Sequence, residues 1–238
     1  MRLAQSLMTD IRAGTYPVGS RLPTENDLCR QLRVSRHTVR DALRILVELG
    51  LVKRRPRAGT TVIAQQPGPR YQPSISSMSD LRLFAGLLQQ KGLAVENLVV
   101  DAGLGASLDI PPGSRWTRAT LLRMFPDDEI PLIYGEVYVP EVHGSVFMER
   151  SVGVWEPAPP PVHERIEARA GLRVAEVRQR ISAVSLPGRA AGYLDVEPGE
   201  PGLELLLSYH AADGALVEVY RNLFRGDRYS YSTRMRLS

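Results

Sequence analysis

The tightest constraint on this chain lies between Thr24 and Ile63, where two capped helical segments, separated by a brief break, are followed by two short β-prone runs. Thr24 with Asp27 three residues later has the pattern of a capping box, and Leu28 and Leu32 lie one turn apart behind it, which predicts a short helix over Thr24–Leu32. After Arg33-Val34, Ser35 is placed to cap a longer helix reaching about Leu49. Its Val39, Leu43, Leu46 and Val47 form one apolar stripe, while Arg36, Arg40 and Arg44 recur every four residues elsewhere. Gly50 supplies the stop. Ahead of this pair, Leu3, Leu7 and Ile11 have helical spacing that ends at Gly14, before the turn sequence Tyr16-Pro17-Val18-Gly19. Behind it, Leu51–Lys53 and Thr60–Ile63 read as a hairpin whose tip carries Arg54, Arg55 and Arg57.

Three helices with a tight turn between the second and third, then a hairpin, form a winged helix-turn-helix. Charge agrees with a polyanion partner: residues 1–65 hold 12 Lys+Arg against 5 Asp+Glu, net +7, and the remainder carries −3 of the overall +4. Alone, that asymmetry points to nucleic acid or a membrane surface, or to a solvated basic face. With the helix order it points to DNA, because a helix fits the major groove, about 12 Å wide, and offers its N-terminal side chains to base edges. Ser35, Arg36, His37, Thr38 and Arg40 are so placed. Arg36 and Arg40 either read guanine with two-pronged contacts or neutralise phosphates, and the residues leave both roles open. The arginines of the hairpin tip would reach backbone or minor groove, where Gly59 permits close approach.

Gln65–Ser79 is rich in Pro, Gly and Ser without apolar periodicity, and reads as a linker. The expected organisation is a DNA-binding domain over 1–64, the linker over 65–79, and a second domain over 80–238. That domain opens with a helical stretch, Asp80–Gly92. β-prone runs follow at Val95–Ala102, Arg115–Phe125, Ile130–Val139, Arg173–Val184, Leu203–His210, Leu216–Phe224 and Tyr229–Leu237, with a helix over Val162–Ala170. Strands with few intervening helices favour an α+β fold with an antiparallel sheet. No run approaches the roughly 18 apolar residues of a membrane span and Met1–Gly14 lacks a signal peptide's apolar core, so a cytoplasmic protein without a membrane partner is expected. Cys29 is the single cysteine, by its spacing from Leu32 a packing residue, and the four histidines are scattered, so no disulfide, metal or other cofactor is expected.

The amino-terminal residues resemble a known family. Ile11-x-x-Gly14-x-Tyr16-Pro17-x-Gly19-x-x-Leu22-Pro23-Thr24-Glu25-x-x-Leu28, Val34-Ser35-Arg36-x-Thr38-Val39-Arg40-x-Ala42-Leu43, and Gly59-Thr60-x-Val62 look like the signature of GntR-family bacterial transcription regulators. The resemblance implies that Thr24 and Glu25 sit beside the DNA backbone and that Arg36, Thr38, Arg40 and Gly59, with neighbouring Thr60, occupy DNA-contacting positions. Two departures are the start of the first helix almost at Met1 and Arg57, which stands where the wing normally has glycine.

The second domain resembles the UTRA domain of the HutC-type branch, related in fold to chorismate lyase. Leu194-x-Val196-x-Pro198-Gly199, Asp213-Gly214-x-x-x-Glu218, Arg225-Gly226-Asp227-Arg228-Tyr229, Arg123 followed by Asp128-x-x-Pro131, and Ile166-Glu167-x-Arg169-x-Gly171 carry it. The resemblance implies a homodimer joined through this domain, a double-stranded operator as partner, and a small anionic effector, such as a carboxylate, beside the central sheet. Strand alternation sets Arg115 and Arg123 on one side and Arg118 on the other, and groups Glu218, Tyr220 and Phe224. With Glu136 on the adjoining run, Arg115, Arg123, Glu218, Tyr220 and Phe224 are the candidate effector residues; Arg123 pairing with Glu218 at a sheet edge, and Phe224 as core, is the plain alternative. Phe125 replaces the family's second arginine, which favours a more apolar ligand over the usual phosphorylated one. No Gly-x-Ser-x-Gly elbow or Gly-x-x-x-x-Gly-Lys-Ser/Thr loop occurs. The expectation is therefore a non-enzymatic repressor released from a palindromic operator by its effector. Chorismate-lyase-like turnover, or a dimeric DNA-binding protein indifferent to ligands, are the alternatives.

Overall fold

The structure, a computed structural model, describes residues 2–55, 59–65, 85–126, 128–148 and 152–231. Two compact units emerge, an amino-terminal one and one spanning Leu88–Gly226. The first contains α1 (Arg2–Arg12), α2 (Glu25–Leu32), α3 (Arg36–Glu48), β1 (Val52–Arg55) and β2 (Gly59–Val62). Both expected caps form. Thr24 Oγ1 accepts from the Asp27 N–H at 3.2 Å while the Asp27 carboxylate accepts from the Thr24 N–H at 3.3 Å, and Ser35 Oγ accepts from the Thr38 N–H at 3.2 Å. Arg33 turns the chain between α2 and α3 with a left-handed φ of 52°.

Leu3, Leu7 and Ile11 are buried with Val39, Leu43 and Leu46 where α1 packs on α3, and Leu28 of α2 is buried as well. The stripe departs from expectation at one residue. Val47 is 41% exposed, and Ala42, Ile45 and Leu49 are buried instead. Cys29 is half-buried, not enclosed in the core. In the hairpin, Arg54 pairs with Thr60 and Arg55 with Gly59, so both arginines lie on β1 and not at a tip. Residues 56–58, with Arg57, lie outside the described residues.

The second unit is a seven-stranded antiparallel sheet in the order β6-β3-β4-β5-β9-β8-β7. Its elements are β3 (Gln89–Val99), α4 (Ala102–Leu108), β4 (Arg115–Met124), β5 (Ile133–Pro140), a 3-10 helix (Glu141–Phe147), β6 (Trp155–Pro157), α5 (Val162–Ala170), β7 (Val174–Ser185), α6 (Gly188–Tyr193), β8 (Pro201–Ala211) and β9 (Leu216–Arg225). The helix expected over Asp80–Gly92 is corrected from Gln89 onward, because Gln89 pairs with Met124 on one side and Pro157 on the other; residues 80–84 lie outside the described residues. Ala102 starts a helix where a strand was expected to end. Asp101 caps it, accepting from the Leu104 N–H at 2.7 Å, a signal that Gly103 and Gly105 obscure. The last run, Tyr229–Leu237, lies outside the described residues beyond Tyr231.

Alternation divides the sheet into two faces. On one, Trp116, Tyr138, Leu206 and Val219 cluster with Leu108 of α4, and Leu122, Tyr134 and Leu223 cluster with Ala190 and Ala191 of α6. The register sets Arg123, Gly135, Glu218, Tyr220 and Phe224 on the other, where α5 packs against β9.

Candidate DNA interface and effector site

At the start of α3, Ser35, Arg36, His37 and Arg40 are exposed and Thr38 is half-buried, while Val39 between them is fully buried. The helix thus presents a polar edge held by an apolar one. The side chains there are already ordered: Ser35 and Thr38 hydroxyls lie 2.9 Å apart, Arg36 Nη2 donates to Asn26 Oδ1 at 2.9 Å, and His37 Nδ1 is 2.8 Å from Asp41 Oδ2. Glu25, at the first position of α2, joins two elements. It accepts from Arg40 Nε at 3.1 Å and from Arg54 Nη2 at 2.5 Å, so one carboxylate holds an arginine of the third helix beside an arginine of the hairpin strand. Partial desolvation pushes the Glu25 carboxyl up, but hydrogen bonds and charge from Arg40 and Arg54 outweigh it and hold the group below its ordinary value. Arg40 and Arg54 remain 64% and 55% exposed and open to a duplex. Gly59, at φ 87°, turns the hairpin in a conformation that a side chain would strain. Thr60, expected among the DNA-contacting residues, is buried, and its carbonyl accepts from the Leu22 N–H at 2.9 Å.

The expected effector residues separate into three places. Arg115 lies on the surface, bound by Glu141 through contacts of 2.6 and 3.2 Å. Glu136 points from the face that α4 and α6 cover, because its register neighbours are Thr120 and Arg221. There it accepts from the Tyr138 hydroxyl at 3.0 Å and from Arg221 Nη1 at 3.5 Å, with Arg118 Nη1 at 3.6 Å. Burial would lower the Arg118 and Arg221 guanidiniums, but Glu96, Tyr138 and Glu136 around the first and Glu204, Glu136 and Tyr138 around the second keep both raised.

Arg123, Glu218, Tyr220 and Phe224 share the opposite face. The Arg123 guanidinium lies over the Tyr220 ring, 5.2 Å from its centroid, and Nη2 donates to Gln90 Oε1 at 3.5 Å. It reaches Tyr220 across Gly135, where a Cβ would stand 3.0 Å from both Leu121 Cδ1 and Tyr220 Cε2. Glu218 does not pair with Arg123. Its Oε2 stands 3.6 Å from Nδ1 of His163, an α5 residue whose ring stacks on Tyr209 with centroids 4.4 Å apart. Phe224 is core.

Gln90 Nε2, Arg123 Nε, His163 Nδ1 and Glu218 Oε2 are all buried with no hydrogen-bond partner among the described residues. Buried polar atoms are normally satisfied, and leaving each one unmade costs about 1–3 kcal/mol. The four lie on one face of the sheet, and two of them, His163 Nδ1 and Glu218 Oε2, face each other at 3.6 Å. Gln90 and His163 were not legible as members: each adjoins the site only through pairing or packing with distant chain, Arg123 and Glu218 respectively.

A capped third helix with a strand-borne arginine beside it, in one chain with a sheet domain carrying unsatisfied buried polar groups, defines a DNA-binding regulator with a sensory domain. Residues 1–62 match the family described as bacterial regulatory proteins, gntR family, and residues 88–230 match the UTRA domain. The chain belongs to the GntR family of transcriptional regulators, in its UTRA-bearing branch. It is 28% identical over 201 residues to the probable fructoselysine utilization operon transcriptional repressor of Escherichia coli (strain K12), covering 83% of this chain and 78% of that protein. With the HTH-type transcriptional repressor NagR of Bacillus subtilis (strain 168) it shares 23% identity over 242 residues, 97% of this chain and 91% of the relative. In fold it is similar to the crystal structure of PhnF from Mycobacterium smegmatis, at a TM-score of 0.55 and 23% identity over 99% of this chain and 100% of that one.

Proposed function

We propose that this regulator is a cytoplasmic homodimeric repressor that grips a two-fold symmetric operator and leaves it when a small anionic effector occupies the Arg123 face of the UTRA domain. The observation that carries the DNA half is the convergence of Arg40 and Arg54 on Glu25, which aims two exposed cations from helix and hairpin at one surface. A single winged helix buries too little to read a long site, and symmetric half-sites about one helical turn apart call for a two-fold protein. The effector half rests on the unsatisfied atoms. Gln90 Nε2 and Arg123 Nε offer donors to an anion, Tyr220 gives a ring wall, and the Glu218–His163 pair accepts or donates further along. A ligand that meets these groups stabilises one arrangement of the domain, and only such differential binding can alter the DNA heads.

The test is a mobility-shift assay of the full chain on operator DNA with candidate metabolites: fructoselysine, suggested by the Escherichia coli relative's name, hexose phosphates and aromatic carboxylates. Release by one compound recovered unchanged supports the reading. Consumption of chorismate would instead support a lyase-like enzyme, and indifference to every compound a ligand-independent DNA-binding protein.

A further inference from the structure

Three exposed side chains at the start of α3 each have an acceptor of their own. Asn26 Oδ1 accepts from Arg36 Nη2 at 2.9 Å, Glu25 Oε2 accepts from Arg40 Nε at 3.1 Å, and Asp41 Oδ2 lies 2.8 Å from Nδ1 of His37. For the arginines the holder changes only where the group points, because a guanidinium has donors alone. An imidazole is different. Its two nitrogens exchange roles, and a hydrogen bond made by one decides what the other offers. His37 is the second residue of α3 and Asp41 stands one turn further along, the i,i+4 spacing at which side chains on one helix face meet. The His37 side chain is 87% exposed, so the ring is fixed at one nitrogen and otherwise open.

We infer that His37 is a base-specificity residue whose choice Asp41 sets: its Nε2 accepts a hydrogen bond from the exocyclic amino group of an adenine or a cytosine. This rests on the reading that α3 enters the major groove of an operator, and it names the chemistry read there. A carboxylate only accepts, so Nδ1 carries the hydrogen of the uncharged ring and Nε2 keeps its lone pair. In the major groove adenine N6 and cytosine N4 are the donors, while guanine and thymine present acceptors. Arg36 and Arg40, donors alone, suit guanine. The hydroxyls of Ser35 and Thr38, which could also accept, lie 2.9 Å from each other. His37 therefore gives the helix start the opposite sense of hydrogen bond, and Asp41 is its positioning residue. Without the carboxylate the ring is free to turn and to move its hydrogen to Nε2, which would reverse the sense.

The test begins by selecting the full chain's preferred duplex from a random pool. On that duplex single groups are then deleted base by base: purine replaces adenine and pyrimidin-2-one replaces cytosine to remove amino groups, and 7-deazaguanine replaces guanine to remove an acceptor. Binding is read by fluorescence anisotropy at about pH 8.5, where imidazole is uncharged. Deleting one particular amino group in each half-site should weaken the wild-type chain about fivefold, the worth of one hydrogen bond, and leave His37→Ala unaffected. Asp41→Ala should lose that sensitivity too, whereas Asp41→Asn, whose amide oxygen still accepts from Nδ1–H, should keep it. Nitrogen chemical shifts in the free chain, with the His37 signal assigned by its loss in His37→Ala, should place the ring hydrogen on Nδ1 in wild type and no longer there alone in Asp41→Ala. A wild-type ring with its hydrogen on Nε2, amino deletions felt equally by wild type and His37→Ala at every position, or a loss coupled to His37 only at 7-deazaguanine would overturn the inference and leave the operator reading standing. A chain that enriches no duplex from the pool would overturn both.

Discussion

Arg40 of α3 and Arg54 of β1 meet on a single carboxylate, Glu25, at 3.1 and 2.5 Å. The relationship ties the reading helix to the hairpin through the first residue of α2, so the two cations are ordered before any duplex arrives. Preordering matters because immobilising a long side chain at an interface costs about 0.5–1.5 kcal/mol, and two are involved here.

Glu25→Gln separates ordering from charge. Loss of the carboxylate removes a repulsive group near phosphate, so random DNA should bind slightly tighter. The freed arginines must then be ordered by the operator itself, so the ratio of operator to random-DNA affinity should fall about tenfold. Titration of both duplexes by fluorescence anisotropy at two salt concentrations checks this, and an unchanged ratio would show that Glu25 orders nothing.

Acid should loosen α2 through Asp27. The Thr24 hydroxyl is the first cause holding the Asp27 carboxyl below its ordinary 3.8, with Arg30 and the Thr24 N–H adding to it against desolvation. A depressed carboxyl contributes stability in full above its unfolded value and loses it as pH falls through the folded one. The contribution should therefore be constant from pH 7 to about 5 and decline below 4. Thermal melts across that range should show a shallower acid loss in Asp27→Asn than in wild type. Thr24→Ala, which removes the cap at all pH values, should cost about 1 kcal/mol at neutrality.

Arg40→Ala distinguishes base reading from phosphate clamping. If Arg40 meets a guanine edge, operator affinity should drop by about 1–3 kcal/mol while random DNA loses far less, with discrimination lost at particular base pairs. Equal loss on both, with the salt slope reduced by about one, would make it a phosphate contact.

Local chemistry explains what the sequence made legible. Thr24–Asp27 and Ser35–Thr38 are caps between residues three apart, and both formed where their spacing put them. Parity within one strand was equally readable, and Arg118 does oppose Arg123. Register between strands was not: Glu136 belongs to the other face because it pairs with Arg221, and nothing in either run announces that. Gln89–Gly92 has no β-branched residue to mark a strand, and it is extended because partners on both sides claim its backbone. His163 is the clearest case of a residue whose role exists only after packing, since Glu218 and Tyr209 reach it from β9 and β8.

Arg123→Lys tests whether the effector face needs a planar cation. The guanidinium lies over the Tyr220 ring and keeps a buried Nε–H without a hydrogen bond among the described residues, two features that a lysine ammonium, compact and strongly hydrated, does not reproduce. Operator affinity without effector should be unchanged while the effector concentration needed for release rises about tenfold, a cost near 1.4 kcal/mol. Gly135→Ala should act on the same place by a different route. Its methyl would stand 3.0 Å from Tyr220 Cε2 and Leu121 Cδ1, so the ring must shift from under the guanidinium. Overpacking of this kind costs about 1–3 kcal/mol of stability, and it should weaken effector response together with the melting temperature. If Gly135→Ala lowers the melting temperature but releases from DNA at the wild-type effector concentration, the ligand does not lie against Tyr220, and the effector site must be sought elsewhere in the domain.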